Sequence, residues 1–274
     1  MSLRIVSLGL VLAPLTAAAD ALPSVASINL CSDQLVLSIA DPAQVRSVSW
    51  LAADPHESML HEEARRHPLN YGSAEEILRL APDVVVAGVF TNTFTRRLLR
   101  ELGHHVVDVV PADSIADIER NLRQVGAALE REARADALIA EMRVELRALA
   151  RARRATPVSA VVVRPGGFTV GARTLADELL RLAGLRNVAA EGGLDRWGSL
   201  SMETLLRTSP AMLVFTDYRP KQSSLANLVL EHPALSRLAR RTTTVSIAGK
   251  YWACGLPESL HSVELLQIAL RQSP

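Results

Sequence analysis

The sequence predicts an α/β protein built from two similar lobes, each with a mostly parallel sheet. The first observation behind this prediction is an internal repeat with a spacing of 128 residues. The second is an alternation of apolar, strand-like runs with helix-like runs, which is typical of βαβ units and parallel sheets. The third is a long stretch of strong helix formers between the two copies of the repeat, which predicts a connecting helix.

The repeat joins a capped helix to a buried strand. Its first copy is SAEEILRLAP at residues 73–82, and its second copy is SMETLLRTSP at residues 201–210. Ser, Glu, Leu, Arg and Pro recur at identical offsets, and each copy leads into an apolar run followed by an aromatic residue. A period of this length is too long for a solenoid unit. It indicates two lobes with a cleft between them, and ligands bind in clefts.

The N-terminal lobe is predicted over residues 20–128. Strands are expected over residues 24–29, 45–49, 84–87 and 106–110, and helices over 33–40, 73–80, 93–102 and 114–128. Ser73 and Glu76 have the spacing of a capping box, which marks the start of the repeat helix. The β-branched run that begins at Val84 is typical of a strand covered on both faces.

The connecting helix is predicted over residues 129–154. From residue 114 to 153 the chain has no proline and one glycine, and it is rich in Ala, Leu, Glu and Arg. A helix over most of the connector would be about 36 Å long at 1.5 Å per residue. The C-terminal lobe is predicted over residues 155–274, with strands over 158–163, 212–216 and 243–247, and helices over 174–183, 201–208, 225–238 and from 258 onward.

Residues 1–19 are expected to be a cleavable secretory signal peptide. A short positive start precedes an apolar run, and Ala17-Ala18-Ala19 forms a small-residue cleavage site. The apolar run is much shorter than the about 20 residues that span a bilayer. An uncleaved signal anchor is the alternative. Export would place the only two cysteines, Cys31 and Cys254, in an oxidising compartment where a disulfide can form.

The charge balance argues against a nucleic-acid partner. Without residues 1–19, the chain carries 29 basic and 29 acidic side chains. A nucleic-acid-binding protein usually presents a basic face, and the sequence has no such excess.

Aromatic residues concentrate in the loops between predicted elements. Parallel α/β sheets bind ligands beyond the C-terminal ends of their strands. Aromatic rings in such loops predict a cleft lined for a large, partly flat ligand, although each ring could instead pack over the edge of a sheet. The rings in question are Trp50, Tyr71, Phe90, Phe168, Trp197, Tyr218, Tyr251 and Trp252.

The sequence contains no established catalytic motif, neither a G-x-S-x-G elbow nor a phosphate-binding loop nor an H-E-x-x-H pair. Cys31 with a distant histidine leaves a secreted α/β hydrolase as an alternative of another class. His56 and His61 leave a metal site open, although this spacing is also typical of a solvated helix face.

Glu75 and Glu203 occupy equivalent positions in the two copies of the repeat. A carboxylate in the first turn of a helix is stabilised by the exposed N–H groups, which explains either residue alone. Two acids placed symmetrically would also fit two basic pockets on a two-fold-symmetric partner.

The chain resembles periplasmic substrate-binding proteins of the cobalamin and iron-siderophore ABC-transporter class over residues 24–271. The resemblance implies two Rossmann-like lobes joined by a long rigid helix, with no catalysis, no resident cofactor and a metal chelate as the ligand in the interlobe cleft. It also implies a monomer that docks onto a permease dimer in the inner membrane. It rests on SVASINLCSDQLVLSIA, SAEEILRLAPDVVVAG, the long helix, RPGGFTVGARTLADELLRLAGLRNVAAE and WGSLSMETLLRTSPAMLVF.

The resemblance also implies roles for individual residues. Glu75 and Glu203 match the two acids that dock onto arginines of the permease. Tyr71 and Trp197 lie near aromatic positions that flank the ligand in cobalamin binders. The ligand site expected from the loops and from the resemblance comprises Cys31, Ser32, Trp50, Tyr71, Phe90, Arg164, Phe168, Trp197, Tyr218, Trp252 and Cys254.

Two departures from the class bear on the ligand. The cysteines do not lie where cobalamin-binding members keep their disulfide, so they could pair across the cleft, contact the ligand or stay unpaired. The segment after Tyr71 is shorter than in haem-binding members, where a tyrosine of this region ligates iron. We therefore expect a ferric siderophore or a corrinoid, with haem or a free metal ion as the alternative. Arg164, Arg173 and Arg219 could receive siderophore carboxylates or be solvated.

Overall fold

The computed structural model describes residues 21–216, 226, 230 and 232–272. Its framework is a pair of parallel sheets, one in each half of the chain, and it confirms the predicted α/β class. The N-terminal sheet contains β1 (Val25–Ser27), β2 (Val45–Ser49), β3 (Leu69–Asn70), β4 (Val84–Gly88) and β5 (His105–Val109). They lie in the order β3-β2-β1-β4-β5, and all their pairings are parallel.

Helices cover the N-terminal sheet and lead out of it. They are α1 (Leu30–Ile39), α2 (His61–Ala64), α3 (Ala74–Leu80), α4 (Thr93–Glu101) and α5 (Ile115–Ala128). The long α6 (Glu132–Ala152) then runs to the second half of the chain.

The C-terminal sheet has the order β11-β10-β6-β8, again with parallel pairings, and a two-stranded antiparallel ribbon of β7 and β9 accompanies it. The strands are β6 (Val158–Val163), β7 (Phe168–Val170), β8 (Leu185–Asn187), β9 (Trp197–Ser199), β10 (Met212–Phe215) and β11 (Thr243–Ser246). The helices are α7 (Leu175–Ala183), α8 (Val188–Glu191), α9 (Met202–Thr208), α10 (Pro233–Ala239), α11 (Lys250–Ala253) and α12 (Leu260–Gln272).

The central strands β4, β6 and β10 are buried on both faces, as their continuous apolar runs predict. In β4, Val84 and Val86 belong to a large core shared with α6, while Val85 and Ala87 belong to a smaller core under α3 and α4. Successive side chains of a strand point to opposite faces, so each strand contributes to two cores. β6 and β10 divide their side chains in the same way between the large core and a third cluster that includes Leu205 of α9.

The internal repeat is a structural repeat down to its caps. Ser73 and Ser201 each cap a helix N-terminus by accepting a hydrogen bond from the backbone N–H three residues later, at 3.3 and 3.1 Å. Each helix ends at a residue in the left-handed conformation, Ala81 at φ 43° and Ser209 at φ 42°. A proline follows each of these residues, and it prevents the helix from continuing. Identical start and stop signals therefore build the same helix–strand unit in both lobes.

The connector α6 has 21 residues, so it is about 32 Å long. Its buried face includes Leu138 and Met142, which pack in the large core. Near its N-terminal end, the Arg134 Nε donates to the Ser38 carbonyl oxygen of α1 at 3.2 Å. Near its C-terminal end, the Leu149 carbonyl oxygen accepts from the Gln267 Nε2 of α12 at 2.9 Å. The helix is thus bonded to both lobes. No described helix, α6 included, is long and apolar enough to cross a membrane.

The helix predicted over residues 225–238 lies only partly within the described residues, because residues 225, 227–229 and 231 fall outside them. Leu230 lies in a turn, and the His232 ring nitrogen accepts from the Ala234 N–H at 3.1 Å, so the helix begins at Pro233. The composition of the segment favours a helix, but proline at the first helical position sets the start. The structure also adds short elements that the sequence pattern did not reveal, namely α2, β3, β8, α8, α11 and the β7–β9 ribbon.

Candidate ligand-binding site

The loops at the C-terminal ends of the strands of both sheets meet across a cleft. In parallel α/β sheets this edge is the usual ligand-binding edge. Among the described residues, four bonds cross between the lobes here. The Lys250 Nζ donates to the Pro55 carbonyl oxygen at 3.0 Å, and the Ile115 N–H donates to Glu178 at 3.0 Å. The other two are an ion pair between Arg196 and Asp113, at 2.8 Å, and a disulfide.

The disulfide joins Cys31 to Cys254, whose Cα atoms are 5.0 Å apart. Cys31 lies in the first turn of α1, directly after β1, and Cys254 follows α11 after β11. Of the alternatives left open by the sequence, pairing across the cleft is therefore the one observed. A disulfide sulfur is not a thiolate, so Cys31 in this state lacks the nucleophile that a hydrolase would need.

Exposed aromatic rings stand on both lobes beside the cleft. On the N-terminal lobe the rings of Trp50 and Tyr71 are 6.4 Å apart. On the C-terminal lobe the guanidinium of Arg164 lies over the Trp197 ring, 5.6 Å from its centroid, which is within the range of a cation–π contact. Their exposed fractions are 44% for Trp50, 77% for Tyr71, 86% for Phe90, 56% for Phe168 and 54% for Trp197.

The β7–β9 ribbon presents the C-terminal pair of rings. Phe168 opens β7 and pairs with Ser199, while Trp197 opens β9 and pairs with Val170. The turn before β7 contains Gly166 at φ 75°, a conformation that glycine adopts without strain. The ribbon thus carries two aromatic side chains that remain more than half exposed.

Three predicted site residues do not present an exposed side chain. Ser32 is fully buried, and its hydroxyl donates to the Asn29 carbonyl at 2.8 Å. Trp252 is 7% exposed, and its Nε1–H donates to the Thr216 hydroxyl at 3.3 Å inside the C-terminal lobe. Cys254 is also buried. The sequence pattern placed these residues in cleft loops, but it could not show which way each side chain points. Tyr218 lies outside the described residues.

A buried carboxylate supports the segment that carries Trp50. Asp33 is fully buried; one of its oxygens accepts from the Ser49 N–H at 3.0 Å, and the other accepts from the Ser49 hydroxyl. Burial raises the pKa of Asp33 to about 6, although the hydrogen bonds from Ser49 oppose this shift. Because Trp50 follows Ser49 directly, the hydrogen bonds from Ser49 to Asp33 fix the backbone next to the Trp50 ring.

The floor of the cleft contains a pocket of about 210 Å³. The end of β5, the first turn of α1 and the disulfide surround it. The lobes come very close at this level, because a Cβ on Gly255 would lie 2.3 Å from the Ala112 Cβ. Glycine at position 255 therefore allows the two lobes to meet at the floor.

The histidine segment does not form a metal site in the described part of the chain. His61 Nδ1 lies 3.3 Å from the Ser58 carbonyl oxygen, and the His56 N–H donates to the Asp54 carboxylate at 2.8 Å. Among the described residues, no group of three or more potential ligands could hold a metal ion. Arg173 is likewise engaged, in an ion pair with Asp195, and Arg219 lies outside the described residues.

Glu75 and Glu203 occupy matching places on the surface. Each is the second residue of its helix, α3 or α9, and each side chain is exposed. Within the described part of the chain, Glu203 forms an ion pair at 3.8 Å with Arg207, which lies one helical turn away. The two carboxylates therefore stand at the cleft ends of equivalent helices, one on each lobe.

The sequence pattern of the family described as periplasmic binding proteins matches residues 25–243. That match covers most of the chain, including both sheets and the cleft. The chain belongs to the periplasmic binding protein family. A substrate-binding lipoprotein of an uncharacterised ABC transporter from Bacillus subtilis is 23% identical over 155 residues. That similarity spans 53% of this chain and about half, 49%, of the relative.

Solved structures share the fold of this periplasmic binding protein. The apo haem-binding protein RhuT of Roseiflexus is 21% identical, with a TM-score of 0.76. The superposition covers 92% of this chain and 98% of RhuT. The vitamin B12-binding protein BtuF of Vibrio cholerae is 16% identical with a TM-score of 0.70, at 92% and 98% coverage. A Fe³⁺-hydroxamate transport protein of Saccharomonospora viridis is 20% identical with a TM-score of 0.66, at 90% and 93% coverage. At these identities the likeness establishes the fold.

Sequence reasoning did not find two residues that shape the site of this periplasmic binding protein. The lysine that bonds across the cleft, Lys250, gives no local signal, because its partner Pro55 is 195 positions away. The role of Asp33 was missed because an acid in the first turn of a helix normally needs no further explanation. The signal available was the run of polar residues Ser32-Asp33-Gln34 in an otherwise apolar helix, which indicates buried polar groups with partners in the fold.

Proposed function

We propose that this periplasmic binding protein captures a metal chelate, a ferric siderophore or a cobalamin-type corrinoid, and delivers it to an ABC-importer permease in the inner membrane. The observation that carries the proposal is the set of exposed aromatic rings on both sides of one cleft. A soluble protein rarely leaves so many large rings exposed along one edge unless they serve a binding site.

Capture would rest on apolar faces with few polar contacts. An aromatic ring that is covered by a ligand removes apolar surface from water, at about 25 cal/mol for each Å². Trp50 and Tyr71 offer one wall, and Phe168 and Trp197 offer the other. Arg164, held over the Trp197 ring, adds a positive charge at the same wall and suits an anionic chelate.

The cargoes named for the solved relatives support a chelate rather than another solute. RhuT is named for haem, BtuF for vitamin B12, and the Saccharomonospora protein for ferric hydroxamate. All three cargoes hold a metal ion inside an organic ligand. A ready-made chelate brings its own metal ligands, so the protein can bind it without a cluster of histidines or carboxylates.

The cleft would change shape little when the ligand enters. α6 is bonded to both lobes, and the Cys31–Cys254 disulfide and Lys250 tie the cleft together at its floor. Large hinge opening would break these ties, so capture requires small adjustments of loops and side chains. A preformed cleft avoids part of the entropy that ordering costs on binding.

Delivery would use the matched carboxylates of Glu75 and Glu203. They stand on structurally equivalent helices, so each lobe offers the same charged feature to one half of a permease dimer. The partner surface would carry arginines, whose planar guanidinium groups bind carboxylates well. Residues 1–19 would be removed on export, and the protein would act in the periplasm as a monomer without a resident cofactor.

Haem is the second candidate cargo, and Tyr71 is the residue that favours it. Its ring is 77% exposed beside Trp50, so its phenol oxygen is accessible to an iron ion in the cleft. A tyrosine phenolate is an established axial ligand of haem iron. If haem is the cargo, Tyr71→Phe will abolish the charge-transfer band of the complex and weaken binding, whereas siderophore or corrinoid binding will survive this substitution.

A tryptophan-fluorescence titration of residues 20–274 tests the proposal. The panel consists of cobalamin, haemin, a hydroxamate and a catecholate ferric siderophore, and bare Zn²⁺ and Fe³⁺. The proposal predicts saturable quenching by a siderophore or a corrinoid, and haemin would select the second candidate. A response to bare metal alone would replace the proposal with a free-ion binder. Silence of a folded protein across the panel would reject a metal-chelate cargo.

A further inference from the structure

The pocket at the floor of the cleft is enclosed by uncharged groups. Its N-terminal wall is formed by the ends of β4 and β5 and by the first turn of α1, including Phe90, Val110 and Cys31. Its C-terminal wall is the segment from Ala253 to Gly255, and the disulfide closes one side. None of the described residues that line it carries a titratable side chain.

The polar groups of the pocket are largely engaged within the protein. Asn29 caps α1, with its Oδ1 accepting from the Cys31 N–H at 3.1 Å. Asn121 of α5 donates from its Nδ2 to the Val110 carbonyl oxygen at 2.8 Å. Gly88 leaves room for the Asn29 amide, because a Cβ there would lie 2.9 Å from it. A charged or strongly polar occupant would lose its hydration in this pocket and gain few hydrogen bonds, which is unfavourable.

The volume of the pocket limits the size of an occupant. At about 210 Å³ it is somewhat larger than an apolar cavity of about 150 Å³ that accepts benzene. A single phenyl ring or a short branched alkyl chain fits this space. Two described cations of the cleft lie outside the lining of this pocket, Arg164 beside Trp197 and Lys250 beside Pro55.

We propose that this floor pocket is a ligand subsite for an uncharged apolar group of about the size of a phenyl ring, carried by the cargo. The cargo is then a chelate whose polar or anionic part lies toward Arg164 and Trp197. Its apolar arm lies toward the Cys31–Cys254 disulfide. This inference deepens the proposed function and rests on it. It predicts preference among chelates with the same metal and the same donor atoms.

Fluorobenzene followed by ¹⁹F NMR tests the pocket without any chelate. Wild-type protein is expected to shift and broaden the resonance in a saturable way. Ala253→Leu, an exposed wall position, fills the pocket and should weaken binding by about tenfold or more, since about 1.4 kcal/mol of lost burial is tenfold in affinity. Val110→Phe is a second filling variant from the opposite wall, and Val144→Leu on the exposed face of α6 is the matched control.

Charged analogues of the same size test the chemistry of the occupant. Benzoate and benzylammonium should bind more weakly than fluorobenzene. Equal binding of either ion, no binding of fluorobenzene, or binding that both filling variants leave unchanged would overturn the subsite.

A matched pair of chelates links the subsite to the cargo. Ferric benzohydroxamate and ferric acetohydroxamate share iron and donor atoms and differ in phenyl against methyl. The phenyl chelate should bind at least about tenfold more tightly, and Ala253→Leu should remove the difference. Equal affinities of the two chelates in wild-type protein would overturn the subsite while leaving the proposed function intact. Fluorobenzene binding without any chelate binding would reject the proposed function and leave an apolar pocket with another cargo.

Discussion

Cys31 and Cys254 are joined by a disulfide although 223 positions separate them along the chain. Each cysteine follows a strand of a different sheet, so the bond ties the N-terminal lobe to the C-terminal lobe at the floor of the cleft. Together with α6 it makes the two lobes one unit at that level. The two lobes are therefore joined covalently at two places, through the chain of α6 and through the disulfide.

Removal of the disulfide is expected to destabilise the protein. The double variant Cys31→Ser/Cys254→Ser should lose about 2–5 kcal/mol of the free energy of unfolding, since the bond closes a very long loop in the unfolded chain. Urea denaturation with and without reductant measures this loss. The double serine variant is its own control, because reductant should not change it. A wild-type midpoint that reductant leaves unchanged would contradict the account.

The buried Asp33 predicts a pH-dependent contribution to stability. Its pKa is raised from 3.8 to about 6 in the folded state, so the fold favours the protonated acid. Protonation of Asp33 therefore adds to the free energy of unfolding. This added stability is fully present below about pH 3.8, the pKa in the unfolded chain, and is lost as the pH rises through about 6, the pKa in the folded protein.

Asp33→Asn cannot titrate and keeps an oxygen for the Ser49 N–H. Relative to this variant, wild-type protein should lose roughly 2 to 3 kcal/mol of stability between pH 4 and pH 8. Urea denaturation at a series of pH values gives the difference. Asp136→Asn, an exposed change on α6, controls for the general effect of removing an acid. A difference between wild-type protein and Asp33→Asn that does not vary with pH would contradict a raised pKa.

Ligand quenching of fluorescence should come from two of the three tryptophans. Trp50 and Trp197 are about half exposed at the cleft, whereas Trp252 is buried inside the C-terminal lobe. Trp50→Phe and Trp197→Phe should each remove a large part of the quenching signal. Trp252→Phe should retain the fractional quenching. Loss of quenching only in Trp252→Phe would place the ligand elsewhere.

Ligand binding and delivery should depend on different residues. Glu75→Ala/Glu203→Ala should leave the affinity for the chelate unchanged, because both side chains lie on the surface outside the aromatic walls, and should abolish uptake through the cognate permease. Uptake by cells and affinity in solution are measured on the same variants. Glu101→Ala/Glu141→Ala removes two other exposed acids and serves as the matched control. A comparable loss of affinity in the Glu75/Glu203 variant would contradict this division of roles.

The sequence predicts best those parts of the structure that depend on neighbouring residues. The prediction that both copies of the repeat form a helix followed by a strand is confirmed, because its signals are local. Ser73 and Ser201 cap their own helices, and β-branched runs such as the one at Val84 favour buried strands. The start of the α10 helix was misplaced because helix propensity outweighed the signal of Pro233. The loops after the strands were correctly recognised, but loop membership does not determine the direction of a side chain. Trp252 and Ser32 therefore point into the lobes.

The remaining features depend on contacts between distant parts of the chain. The pairing of Cys31 with Cys254 requires that two loops meet across the cleft, and no spacing in the sequence indicates that distance. The partnership of Asp33 with Ser49 arises because β2 lies beside β1, which follows from the order of the strands. The floor pocket depends on the close approach of Gly255 and Ala112, which belong to different lobes.

Native mass spectrometry tests the central claim most directly. The protein, without residues 1–19, is mixed with the full panel of chelates and metal ions, exchanged into a volatile buffer and weighed intact. The account predicts one chelate for each chain, with its metal still bound to the organic ligand, and loss of that complex in Trp50→Ala/Trp197→Ala. A folded chain that retains only bare metal ions, or that retains a chelate equally well without both rings, would contradict it.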